Sequence, residues 1–214
     1  ANELTVSLAR LLSAEPVITT QSDNIGLWAL DTLPEKYDWA LEVLPKGNTT
    51  PVSDERRNSW LNQAIALFVD RKPTALLLEC PVEGGEYLIE TLPSHVDLYQ
   101  DVASIPVDKY SLVIAVTPWI HAYPALCIQY VPKVLHVGMG CKRDLLVDVQ
   151  LLKEKILTSL REQYLSEKAI CSLDSVDIKA DEKALLLLAE ALHVPFYTYP
   201  ATELKEIEVP TPSA

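Results

Sequence analysis

The sequence predicts an α/β fold: an incomplete N-terminal α/β lobe, a strand-rich middle lobe, and a C-terminal α/β domain with a largely parallel sheet. Three observations predict it. Apolar residues recur at helical spacing in several segments. Short runs rich in Val, Ile and Leu have strand length. In the last third of the chain the two kinds of segment alternate, which is the pattern of a parallel sheet with crossover helices.

The elements follow in order. Residues 2–13 carry apolar side chains at 4, 8, 11 and 12, a helical face. "EPVITT" is a short strand, and "NIGLWALDTL" is expected to be a helix with Asp23 or Asn24 as N-cap. "PKGNTTPVS", 45–53, is a loop and a domain boundary. Residues 54–70 form a helix with Trp60, Ala64, Leu67 and Phe68 on one face. "TALLLEC" and "EYLIETL" flank "PVEGG" and are expected to pair as a hairpin. "YSLVIAVT", "ALCIQYV" and "VLHVGMG" are further strands. Then come a helix over about 145–165, a strand at 168–173, a helix at 180–193, the strand "PFYTY" and a helical turn at 200–206. Units are expected over 1–49, 50–133 and 134–214, with native sequence expected to continue beyond both ends.

Composition narrows the function classes. The formal net charge is −12 over 214 residues. Nucleic acids and anionic membranes both call for a basic footprint, so neither is expected as a partner. No apolar run is long enough to span a bilayer. Cys80, Cys127, Cys141 and Cys171 are widely spread with no CxxC pair, which argues against a zinc site and a disulfide scaffold. A reducing cytoplasm fits this usage. His95, His121 and His193 lack metal-ligand spacing.

Three clusters stand out. In "VGMGCKRD", Gly138 and Gly140 end a strand before a helix, where bare amides can approach an anion. The stretch leaves two readings open: a ligand-approaching turn, or a tight strand–helix turn with no ligand. Lys142 and Arg143 add positive charge at the carboxyl edge of the sheet, where α/β proteins bind ligands. Cys141 could be activated by those cations, but no base adjoins it, so a packing or positioning role is expected. In "SVDIKADEKALLLLAEAL", Asp181 and Glu182 suit a first helical turn, whereas Lys179 is disfavoured there. In "PVITTQSD", Thr19, Thr20 and Asp23 offer hydroxyls and a carboxylate, or simply a cap and a turn.

Taken in order, "ANELT…A.PVITT..D", "VGMGCKR", "SVDIKADE..LL.LAE.L..P" and "VPTPS" resemble the CbiG family of cobalamin-biosynthesis proteins, whose C-terminal domain is shared with the smaller CobE. The likeness is strong over 1–31 and 134–213. One departure is Asp144, where the family usually has Gly.

The resemblance implies hydrolysis of the δ-lactone of cobalt-precorrin-5A, with release of the C20 unit as acetaldehyde. It implies a cobalt-bearing tetrapyrrole as substrate, no cofactor besides the cobalt it carries, and contact with other enzymes of the pathway. Such chemistry needs a base, oxyanion donors and a proton donor. Candidates are Glu3 or Asp177 as base, and Thr19, Thr20 or loop amides as donors. Lys179 is the proton donor or a carboxylate anchor. Asn2, Gly138, Gly140, Cys141, Lys142, Arg143 and Glu182 complete the expected substrate-binding set. The rival readings are a CobE-like tetrapyrrole carrier without catalysis, and a nucleotide-binding enzyme using "GMGCKR" as a phosphate loop. A further expectation is that Lys142, Arg143 and Lys179 gather on one side of one cleft.

Overall fold

The structure is a computed structural model, and it describes residues 8–14, 26–140 and 148–207. Within them the chain is α/β, built around two sheets.

The first sheet has five strands: β1 (Ala40–Leu44), β2 (Thr74–Leu78), β3 (Val96–Tyr99), β4 (Leu112–Val116) and β5 (Leu126–Val131), in the order β1-β5-β4-β2-β3. Strand β1 is antiparallel to β5 and the other pairs are parallel. β4 and β5 are buried along their whole length, as expected of strands covered on both faces. Helix α2 (Asp54–Val69) buries Leu61, Ala64 and Phe68 against one face. On the other face Leu77, Val113, Tyr123 and Cys127 form a separate core.

Two expectations fail here. "EYLIETL" is not a strand: α3 is the helix Gly85–Glu90. The reason is topological. β2 and β3 run parallel, so they need a crossover rather than a hairpin. The glycine pair starts that crossover helix. "NIGLWALDTL" is not a helix over its described part, 26–33; helix α1 (Leu33–Tyr37) begins only at its last residue. Pro34 suits a first helical turn and would break a helix running through it. Leu27, Trp28 and Leu30 are buried without regular structure, and the Tyr130 hydroxyl donates to the Leu30 carbonyl at 2.6 Å. Strand β1, from the N-terminal side of the expected boundary at 49/50, lies in the same sheet as β5.

Gly84 has φ +87°, and a Cβ there would lie 2.7 Å from the Tyr37 ring. Gly84→Ala should therefore lower unfolding free energy by about 1–2 kcal/mol, read as a shift in urea midpoint at unchanged slope. A neutral result would mean that the ring swings clear at no expense.

The second sheet has three parallel strands: β6 (Leu135–Gly138), β7 (Ile170–Val176) and β8 (Phe196–Tyr199), in that order. Helices α4 (Val149–Glu162) and α5 (Lys183–Leu192) are the crossovers. The Asp148 carboxylate caps α4 through the Gln150 amide at 2.9 Å. Both helices lie on one face, where Leu185 and Leu188 meet Leu173, Val137, Ile156 and Phe196. A short helix α6 (Ala201–Leu204) follows β8. Backbone bonds from Ile120 N–H to Tyr164 O and from Ser166 N–H to Pro118 O tie the two sheets together, as does the ion pair of Lys168 with Glu42 at 2.8 Å.

Candidate functional site

Adjacent parallel strands deliver their following loops to the same sheet edge. β6 and β7 pair directly, with Gly138 opposite Asp174. The segment after Gly138 and the turn 177–182 therefore emerge side by side. Two hydrogen bonds join them at the root: Met139 N–H donates to Asp174 O at 2.8 Å, and Ser175 Oγ donates to Met139 O at 2.7 Å. Gly138 and Gly140 are exposed. Neither has a positive φ, and neither would bring a Cβ within 4 Å of another group among the described residues. The backbone thus does not demand glycine at these two places. What glycine provides is open space above the strand end.

In the facing turn, Asp177 is exposed and its Oδ1 accepts the Ile178 amide at 2.8 Å. Lys179 is not an exposed cation. Its side chain is 11% exposed, and its Nζ lies 3.5 Å from Glu182 Oε2, on a side chain only 5% exposed. Glu182 is the N-cap residue of α5, so its carboxylate sits at the positive end of that helix. Asn2, Glu3, Thr19, Thr20, Cys141, Lys142 and Arg143 lie outside the described residues. The expected gathering of Lys142 and Arg143 with Lys179 therefore lies outside the described residues.

The face of this sheet away from the helices carries a cleft of about 570 Å³. Its lining includes His136, Gly138 and Asp174, with Val176, Leu204 and Ile207 as an apolar rim. His136 Nδ1 is 2.6 Å from Ser172 Oγ, which is 2.7 Å from Asp174 Oδ2. Asp174 Oδ1 is buried, with no hydrogen-bond partner among the described residues. The nearby Tyr199 phenol is pushed up, by burial first and then by the Asp174 charge.

A second polar cluster lies at the carboxyl ends of β2 and β4. Glu79 Oε2 accepts from Thr117 Oγ1 at 2.6 Å and from His121 Nε2 at 2.7 Å. Burial pushes the Glu79 carboxyl up, but these two hydrogen bonds, with the His121 charge and the Val102 backbone, together outweigh it and hold the group below its ordinary value. The Cys80 thiol is pushed up by burial and by the Glu79 charge, which keeps it protonated. Sequence reading missed this pair. A usable signal existed: Glu79 and Thr117 each follow an apolar strand, and β2 and β4 are parallel neighbours with Leu78 opposite Val116.

Comparison with known proteins fits both sheets. A family model described as the cobalamin biosynthesis central region matches residues 28–132, and one described as the cobalamin synthesis G C-terminus matches 135–214. The chain belongs to the CbiG family. The central-region match covers the five-stranded sheet, and the C-terminal match begins with β6. Two relatives are named cobalt-precorrin-5A hydrolase. The one from Priestia megaterium is 27% identical over 219 residues, covering 100% of this chain and 54% of that protein. The one from Salmonella typhimurium is 30% identical over 215 residues, covering 97% and 54%. The chain thus spans about half the length of the curated relatives it matches. A crystal structure described as a cobalamin biosynthesis protein G homolog, from Sulfolobus solfataricus, covers 99% of this chain and 54% of its own at 15% identity, with a TM-score of 0.33.

For a CbiG-family chain, two further observations bear on ligand chemistry. No helix among the described residues is long and apolar enough to cross a membrane. Among the same residues, no group of three or more His, Cys, Asp or Glu side chains is placed to hold a metal ion.

Proposed function

We propose that this chain acts in anaerobic cobalamin biosynthesis, in the hydrolysis of the δ-lactone of cobalt-precorrin-5A to cobalt-precorrin-5B. The observation that carries the reading is the pair of CbiG-family matches, in order, over 28–132 and 135–214. Water adds to the lactone carbonyl and the acyl–oxygen bond breaks, leaving a carboxylate and an alcohol on the C20 unit. The alcohol then loses its proton, the carbon–carbon bond breaks, and acetaldehyde leaves while the electron pair passes into the macrocycle.

Asp177 is exposed at the edge where the loops after β6 and β7 emerge, which supports it as the base that takes the proton from water; Glu3 is the alternative. Lys142 and Arg143 bind acetate and propionate carboxylates, joined by Asn2 and Cys141. Thr19, Thr20 and the amides around Gly138 and Gly140 donate to the carbonyl oxyanion. Lys179, held by Glu182, supplies positive potential from within rather than direct contact. The cobalt belongs to the substrate, and no cofactor of the protein's own takes part. The functional units divide at 133/134, between β5 and β6, with β1 counted in the middle unit because it pairs with β5. The reaction takes place in the cytoplasm, beside other enzymes of the pathway.

The test is to incubate the chain with cobalt-precorrin-5A and trap released acetaldehyde, following the corrinoid by mass. Acetaldehyde should form in step with loss of the C20 unit. Added salt should weaken substrate binding, since carboxylates are being held by cations. Tight binding without acetaldehyde would favour a CobE-like carrier instead.

A further inference from the structure

The hydrogen-bond chain on the open face of the second sheet fixes the state of one imidazole. Ser172 has a single hydroxyl proton, and it goes to the Asp174 carboxylate at 2.7 Å. Ionised carboxylates only accept, so the Ser172 oxygen must accept from the group on its other side. That group is His136 Nδ1, at 2.6 Å. In the neutral imidazole Nδ1 therefore carries the proton, and Nε2 is the nitrogen with the lone pair. Nε2 has no hydrogen-bond partner among the described residues. The His136 side chain is 59% exposed, whereas Asp174 is 13% exposed and Ser172 is fully buried. A fixed tautomer, a free outward nitrogen and an anion behind the other nitrogen make up the arrangement that prepares a histidine to ligate a metal.

The surroundings suit a flat, mostly apolar molecule. Val176, Leu204 and Ile207 line the cleft beside His136, and Gly138 leaves it unobstructed from the β6 side. One histidine cannot hold a free ion. It can supply the single axial nitrogen of a metal whose equatorial positions are already filled by a macrocycle. On the reading under "Proposed function", on which this inference rests, the substrate carries such a metal.

We propose that His136 Nε2 is an axial ligand to the cobalt of the bound tetrapyrrole, with Ser172 and Asp174 as positioning residues that hold the imidazole in its ligating tautomer. The macrocycle lies against the open face of β6, β7 and β8. Its acidic side chains point to the edge where the loops after β6 and β7 emerge. Docking by the metal and docking by the rim thus use one sheet.

The test uses cobinamide, a cobalt corrinoid with no nucleotide base of its own, and the 214-residue chain. Binding is followed by the visible spectrum, and the cob(II)inamide complex by electron paramagnetic resonance. Wild type should show the superhyperfine triplet of one axial nitrogen. His136→Ala should fold with an unchanged thermal midpoint, lose the triplet and bind at least about 10-fold more weakly. Asp174→Asn should keep the triplet but weaken binding by about 10- to 100-fold. Ser172→Ala should likewise keep the triplet and weaken binding; if it does not fold, Asp174→Asn alone decides, and unchanged affinity there overturns the positioning claim.

Binding by wild type with no nitrogen splitting, or a triplet that survives His136→Ala, overturns the ligation. Acetaldehyde formation would be untouched by that result, so the proposed reaction would stand. Failure to bind cobinamide alongside active turnover also overturns the ligation alone. Failure of both assays overturns the two readings together.

Discussion

Glu182→Ala should lower the unfolding free energy by about 3 kcal/mol, because it strands a buried cation. For a chain of this size the thermal midpoint would fall by roughly 6–12 °C. Lys179 is 11% exposed and Glu182 5% exposed, so neither charge is solvated well enough to stand alone. Removing one partner of a buried pair costs about 3–5 kcal/mol, since the remaining charge keeps its desolvation penalty. The 3.5 Å separation is long for an ion pair, which puts the estimate at the lower end of that range. The double replacement Lys179→Met with Glu182→Leu should recover most of the loss, because no charge then stays buried. Midpoints of the two single variants and the double variant, measured as a cycle, check this. A fall below about 1 kcal/mol for Glu182→Ala would show water screening the pair, as at an ordinary surface salt bridge. Lys179 would then be free to meet substrate carboxylates directly, as the sequence alone suggested.

Lys179 also shows where sequence reading stops. A lysine beside Asp177, Asp181 and Glu182, at the start of a helix, was legible as unusual. Which carboxylate it meets was not, because that depends on how the 3₁₀ turn Asp177–Lys179 rotates the side chain under α5. The parallel C-terminal sheet was legible because β6, β7 and β8 alternate with helices whose periodicity is strong. The strand reading of "EYLIETL" went wrong because so short a run, with apolar Leu88 and Ile89, satisfies strand and helix patterns alike. Only the parallel pairing of β2 with β3 decides between them. Strands β1 and β3 escaped notice for a related reason. β3 is short, with Asp97 and Leu98 exposed, and β1 is only half-buried over Ala40–Glu42. The clusters at Glu79 and His136 were invisible for a different reason. Their members are 38 or 42 residues apart in one case and 36 in the other, and only strand register brings them together.

The register of β2 with β4 has a second expected consequence. Glu79→Ala should destabilise the chain at neutral pH by about 2–3 kcal/mol, and Glu79→Gln by less. The Glu79 side chain is 11% exposed and accepts two hydrogen bonds at one oxygen. Thr117, itself fully buried, would lose the acceptor for its hydroxyl, and His121 the acceptor for its ring N–H. Each orphaned buried donor costs about 1–3 kcal/mol, and the partial exposure of His121 moderates its share. The pH dependence has a definite sign. The native state holds this carboxyl below its ordinary value of 4.5, so the unfolded state binds the proton more readily. The stabilisation is therefore fully present above about pH 4.5 and is lost as pH falls through the lower native value. Urea unfolding of wild type and Glu79→Gln at several pH values isolates this effect, because the other carboxyl groups are common to both proteins. The gap in stability between them should be flat from about pH 7 down to about pH 5, then narrow on further acidification. A gap that widens toward acid would mean that the native state favours the protonated carboxyl, with burial outweighing the bonds from Thr117 and His121.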